Sequence, residues 1–250
     1  MIKKSNKTKR LGLGLSALMA AGMLHASEDV ASYKAEFDAF MQKMQSSKAT
    51  FSEQEQAVMK KAAEDLAASL PNPGIQAGEK APDFTLKNAF GKDVRLYEEL
   101  KKGPVILVFY RGAWCPFCNM HLHVLQENLD AFKKYGAQLI TVTPQTPDKS
   151  AEQIKKDGYP FEVLSDLDNS VIKAYKLYFD MPQELLDIYK KHGLDIEAFN
   201  GRERTGLPIP GSFVIDQNGL VRAMDAQTDY KIRMEPEQII ESLIEISNAR

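Results

Sequence analysis

Cysteine is scarce in this chain: there are two among 250 residues, Cys115 and Cys118, and no third. That scarcity excludes a disulfide-stapled scaffold and a four-cysteine zinc site, and it leaves any thiol cycle to this pair or to a partner. Long apolar runs are lacking too. The main one, residues 11–24, is too short to span a bilayer comfortably. Basic residues do not cluster into a face of the kind that binds nucleic acid, and no histidine follows Cys118 directly, where haem attachment would need one; Asn119 stands there.

The amino terminus reads as a targeting signal. Lys3, Lys4, Lys7, Lys9 and Arg10 precede the apolar residues 11–24, and His25-Ala26-Ser27 follows. This is the pattern of a secretory signal peptide over residues 1–26 cleaved near Ala26, which predicts a periplasmic or secreted protein. No cysteine follows the stretch to accept a lipid. Without the segment the chain keeps 27 basic against 34 acidic residues, a net charge of −7.

Two regions follow. In residues 27–74, Val30, Tyr33, Phe37, Phe40, Met41 and Met44 recur at helical spacing. Ser52-Glu53-Gln54-Glu55 has the form of a capping box opening a second helix through Val58, Met59, Ala62, Leu66 and Leu70. The apolar stripes of both helices are expected to pack on the next domain. Pro71-Asn72-Pro73-Gly74 ends the pattern as a linker.

Residues 75–250 alternate strands and helices. Residues 83–86 and 93–96 predict a hairpin, and residues 105–110 a fully apolar central strand. Next come a helix over 118–135, a strand at 138–142, a helix over 148–157, a strand at 161–164 and a helix over 169–175. Strands at 212–215 and 220–224 and a helix from 236 to the end complete the order, which implies a mixed sheet covered by helices. Residues 177–207 are too long for a simple connection and read as a helical insertion.

The chemistry sits at Trp114-Cys115-Pro116-Phe117-Cys118, directly after the apolar strand. Two cysteines spaced in this way, where a strand hands over to a helix, are the geometry of a redox-active dithiol. Free N–H groups and the helix dipole favour thiolate there, and the second sulfur lies one turn away, in reach to resolve an intermediate. Pro116 occupies a position where its missing N–H costs nothing. Arg111 could place a positive charge near the sulfurs, whereas Trp114 reads chiefly as packing. A structural disulfide or half a zinc site are the blander readings of the pair, with His121 able to share the face of Cys118 and His123 pointing away.

Pro82-Asp83-Phe84-Thr85-Leu86, Phe109-Tyr110-Arg111-Gly112, the pentapeptide, and Ile209-Pro210-Gly211-Ser212-Phe213-Val214-Ile215-Asp216 together resemble the peroxiredoxin-like branch of the alkyl hydroperoxide reductase/thiol-specific antioxidant family, within the thioredoxin-fold superfamily. The resemblance implies an α/β thioredoxin-like fold with an N-terminal helical extension and an insertion. Registered on the shared Phe-Tyr, it puts Arg111 where typical relatives have proline, Cys115 at their threonine and Cys118 at the peroxidatic cysteine. Their distant arginine falls on Pro210. The thioredoxin pattern fits better: there Cys115 is the nucleophile, Cys118 resolves, and Pro210 is the cis-proline facing the dithiol, with Pro208 as a register alternative. Ile209 would then offer backbone hydrogen bonds to an extended substrate.

These readings imply a thiol oxidoreductase cycling Cys115 and Cys118, with exchange of protein disulfides as the first function. Reduction of hydrogen or alkyl peroxides is the alternative, and a non-catalytic binding module a second one. An external thiol reductant or oxidant protein is the implied partner. No organic cofactor, metal or nucleic acid is implied. Tyr230, Arg233, Glu235 and Pro236 form a segment similar to one common in this branch, with no role beyond starting the last helix.

Overall fold

The computed structural model describes residues 30–45 and 51–249, so the expected targeting segment lies outside the described residues. Two helices come first: α1, Tyr33–Gln45, and α2, Glu53–Ser69. The capping box at Ser52 is present, with the Ser52 side chain accepting from the Glu55 N–H and Glu55 accepting from the Ser52 N–H at 2.7 Å.

A hairpin follows, β1 (Thr85–Asn88) and β2 (Asp93–Arg95), then the short helix α3 (Leu96–Leu100) and the central strand β3 (Val105–Phe109). The helix expected over 118–135 is two pieces, α4 (Pro116–Glu127) and α5 (Leu129–Lys133). The break is at Asn128, at φ −94° and ψ 4°, whose side-chain amide donates to the carbonyls of Val124 and Ala31. Its side chain competes with the helical ladder, as short amides do. After it come β4 (Gln138–Thr143), α6 (Pro147–Asp157), β5 (Glu162–Ser165) and α7 (Ser170–Ala174).

The insertion is closed at its base by a two-stranded pair, β6 (Tyr178–Phe179) and β7 (Leu207–Pro208), which encloses α8 (Gln183–Lys191) and α9 (Glu197–Asn200). The chain ends with β8 (Gly211–Ile215), β9 (Val221–Ala226) and α10 (Pro236–Asn248). The main sheet has the order β2-β1-β5-β4-β3-β8-β9. Strands β3, β4 and β5 are parallel, and the flanking pairs are antiparallel.

All five residues of β3 are buried, because both faces of the sheet are covered. Alternation sends Val105, Leu107 and Phe109 into one core with Tyr175, Phe213 and Ile215. Ile106, Val108 and Tyr110 enter the other with Leu122, Leu125, Ile239, Leu243 and both cysteines. The site thus stands at the carboxyl end of the central strand.

The N-terminal stripes pack in part: Leu66 of α2 and Leu70 at its end lie against the core, while Val30 and Met44 are exposed. Phe37 and Phe40 of α1 lie 6.0 and 5.6 Å from the Phe117 ring, and Tyr33 packs edge-on to His121. Helix α2 is joined to the end of α8 through Glu55, whose carboxylate lies 2.7 Å from Lys191 Nζ and 3.2 Å from His192 Nε2.

One expectation is overturned. Every peptide bond among the described residues is trans, including those before Pro208 and Pro210. Pro208 lies in β7, opposite Tyr178, and Pro210 immediately precedes β8. The Ile209 N–H donates to the Leu177 carbonyl at 2.7 Å and so is already used within the chain.

The Glu55 carboxyl is held down to about 2, first by the Lys191 hydrogen bond and then by the Ser52 N–H, with burial opposing. A depressed carboxyl contributes stability that is complete above its ordinary pKa and is lost as pH falls through the folded value. Acid denaturation series should therefore show the wild type losing more stability than Glu55→Gln between pH 4.5 and about 2. Equal losses in the two proteins would sink this account of the α2–α8 junction.

Candidate active site

Cys115 is the N-cap of α4, in extended conformation, and Pro116 is its first residue. This puts Cys118 in the first turn, its N–H donating to the Cys115 carbonyl at 3.1 Å. Both thiols are free and each residue is 1% exposed, whereas Pro116 between them is exposed.

Two arginines meet the pair. Arg233 places Nη2 3.5 Å from Cys118 Sγ and fixes its other branch on the Ile232 carbonyl at 2.8 Å. Arg111 lies between two rings, 4.8 Å from Trp114 and 4.5 Å from Tyr230, within cation–π range of both. Its Nη2 reaches the Tyr189 hydroxyl at 3.5 Å, and its buried Nε has no partner. Both arginines are buried, and neither meets a carboxylate among the described residues.

These charges divide the thiols. Burial raises the Cys118 pKa, but the hydrogen bond from Cys115, the Arg233 charge, and the N–H and charge of Arg111 outweigh it and bring it down to about 6. Cys115 goes the other way, held protonated by the hydrogen bond it donates and by burial. These charges favour the thiolate on Cys118, the position the peroxiredoxin register gives the peroxidatic cysteine, whereas the thioredoxin register put the nucleophile on Cys115. His121 is no base here. Burial and the neighbouring Arg233 press it down to about 3, and its neutral ring donates Nε2–H to the Met234 carbonyl at 3.2 Å.

A buried amide network sets the loop before the dithiol. Gln145 Oε1 accepts from the Ala113 N–H at 3.0 Å, and its amide donates to Tyr110, Ser150 and Gln153. Gln153 donates in turn to Asn119, which donates to the Ala113 carbonyl at 2.7 Å, closing the ring. Gly112, at φ +143°, is required in this loop, since a Cβ would stand 2.6 Å from Trp114 Nε1.

Of the residues singled out from sequence, Arg111, Trp114, Pro116 and the two cysteines come together. Ile209 and Pro210 instead line a cavity that also touches Arg111. Arg233 and Tyr230 were given no role from sequence, yet one meets the sulfur and the other stacks on Arg111. Glu235 also proves structural. It accepts from the N–H groups of Tyr33 and Lys34 at 2.9 Å and forms a capping box with Gln238, tying the starts of α1 and α10 together.

Comparison with known proteins agrees with this architecture. A family model described as the AhpC/TSA family matches residues 77–224. A chloroplastic peroxiredoxin Q of Gentiana triflora is 26% identical over 170 residues, which cover 68% of this chain and 65% of that protein, so the chain spans about two thirds of that relative's length. A relative from Mycobacterium tuberculosis that carries a peroxiredoxin name is 35% identical over 147 residues, covering 59% of this chain and 82% of it. Among solved structures, the peroxidoxin BcpB of Mycobacterium tuberculosis superposes with a TM-score of 0.55 at 19% identity, covering 69% of this chain and 98% of that one. A thiol peroxidase from Chromobacterium violaceum gives 0.53 at 16% identity, with 71% and 90% covered. These structures share the thioredoxin-like fold.

Arg233→Met should raise the first thiol titration of the reduced protein by about one to two pH units, the worth of a hydrogen bond to a charged group, read from ultraviolet thiolate absorbance. An unchanged midpoint would remove Arg233 from the site. Oxidation should act against the usual sign. A disulfide between Cys115 and Cys118 closes too small a loop to gain much and leaves two buried guanidiniums without an anion, so the oxidised protein should melt below the reduced one. Calorimetry showing the oxidised form equally or more stable would refute that charge balance.

Proposed function

The chain belongs to the AhpC/TSA family, and on that basis we propose that it is a thiol peroxidase in which Cys118 attacks the peroxide and Cys115 resolves. The observation that carries the reading is Arg233, which donates from Nη2 to Cys118 Sγ at 3.5 Å. Peroxide reduction, the alternative from the sequence, is better supported than exchange with protein disulfides. Both sulfurs are buried, which a small peroxide meets with less opening than a protein disulfide does, and the Ile209 N–H that would bind an extended substrate is taken by Leu177.

The steps follow from the site. Cys118 thiolate attacks one peroxide oxygen: an S–O bond forms, the O–O bond breaks, and the alkoxide or hydroxide released takes a proton from solvent. Arg233 and Arg111 supply the positive charge that a thiolate and a departing oxyanion both need. Cys115 sulfur then attacks the Cys118 sulfenic acid. The S–S bond forms, the S–O bond breaks, and hydroxide leaves as water with the Cys115 proton. An external dithiol returns two electrons and two protons by exchange, which requires one sulfur to reach the surface. Relatives with peroxiredoxin names support a thiol reductant as the partner, and the basic and apolar residues 3–24 support export to the periplasm or beyond.

Stopped-flow oxidation by hydrogen peroxide should be fast in Cys115→Ser, which then accumulates Cys118 sulfenic acid visible by mass spectrometry. Cys118→Ser should react no faster than a free thiol. The reverse pattern would assign the attack to Cys115, and slow reaction in both and in the wild type would end the peroxidase reading. With a thiol near 6, the wild-type rate should rise through that pH and level off, whereas an unperturbed thiol keeps gaining up to its own pKa.

A further inference from the structure

Arg111 belongs to two places at once. Its charge acts on the thiols, and it also lines a cavity of about 940 Å³ between α2, the start of the insertion and the Ile209-Pro210 segment. That volume is in the range of small-molecule sites. Its walls are mainly apolar, with Met59, Ala63 and Leu66 on α2 facing Phe179, Met181 and Leu185.

The other charged groups around the cavity have partners. Lys60 pairs with Glu64, Asp65 with Lys61, and Asp229 with Lys231, while Asp180 accepts from the Tyr178 hydroxyl. Arg111 does not. It is 4% exposed, its Nε is buried without a partner, and the one thiolate available to it is shared with Arg233. Two buried guanidiniums against one anionic sulfur leave one positive charge uncompensated, a costly state away from water.

We propose that this cavity is a binding site for a single-chain aliphatic carboxylate, its head on Arg111 and its chain between α2 and the insertion. A carboxylate supplies the missing charge and can pair with a guanidinium through two hydrogen bonds. An alkyl chain matches the walls, with each buried methylene strengthening binding by about fourfold. An extended peptide is disfavoured, because the Ile209 N–H at the cavity floor is already bonded.

Trp114 is the only tryptophan in the sequence and stacks on Arg111, so its fluorescence reports on the site. Titrating the reduced full-length protein with dodecanoate should give a saturable change in that emission. Decanoate should bind roughly fifteenfold more weakly, in line with two lost methylenes. Dodecanol should be weaker by about tenfold or more through loss of the ionic hydrogen bonds. Ala63→Phe, an exposed helix position whose added ring enters the cavity, should abolish binding while leaving the thiol titration unchanged. Arg111→Lys should retain part of the affinity and Arg111→Met should reduce the carboxylate to the level of the alcohol. No saturable change, equal binding of dodecanol and dodecanoate, or undiminished binding by folded Ala63→Phe would each overturn the site. The acid used is not a peroxide, so the result stands apart from whether Cys118 reduces one.

Discussion

One electrostatic constraint organises this molecule: two arginine side chains are buried at the end of the central strand, and no carboxylate among the described residues is placed to meet them. A buried cation is tolerated only where hydrogen bonds, aromatic faces or an anion replace water. Arg111 has two rings and a tyrosine hydroxyl, and Arg233 has a backbone carbonyl and a sulfur. The sulfur is the one group among these able to become an anion, so proton loss from Cys118 settles a charge that the fold has already set in place.

Much of the remaining structure holds that arrangement. Fully buried β3 fixes the point at which the chain leaves the sheet, and the ring of amides through Gln145, Gln153 and Asn119 holds the loop that carries Arg111 and Trp114. Helix α10 delivers Arg233 from its N-terminal side, and Glu235 at its start grips α1. Helix α1 in turn covers Phe117 from outside, between the cysteines. The N-terminal extension is thus a wall of the site, which is the physical reason its apolar stripe exists.

What the sequence made legible was local. The cysteine spacing, the capping box at Ser52, the apolar strand and the helical stripes each arise within a few residues of one another, and periodicity or cap chemistry is enough to read them. The order of strands and helices in a mixed sheet followed from the same patterns, and its thioredoxin-like character from the family resemblance. Arg233 was invisible because it meets Cys118 across 115 residues and carries no local signature beyond standing before a helix. The Asn128 break was missed because an amide that bonds back to Val124 looks, in sequence, like any polar helix residue. The cis-proline expectation failed for a related reason. It rested on position along the chain, while the conformation there is set by Leu177 and Tyr178, which pair with Ile209 and Pro208 from the insertion.

That pairing also bears on which chemistry the dithiol can serve. In a disulfide exchanger the backbone beside the sulfurs must stay open to dock a second chain, and the attacking sulfur must lie at the surface. Here the insertion folds back through β6 and β7 and consumes the Ile209 N–H, while α1, Tyr230 and Trp114 crowd the first turn of α4. Each of these contacts closes the approach to a protein substrate and at the same time lowers the local dielectric, which strengthens the pull of both guanidiniums on Cys118. Access is lost and thiolate stabilisation gained through the same packing, and that exchange favours a small oxidant over a large one.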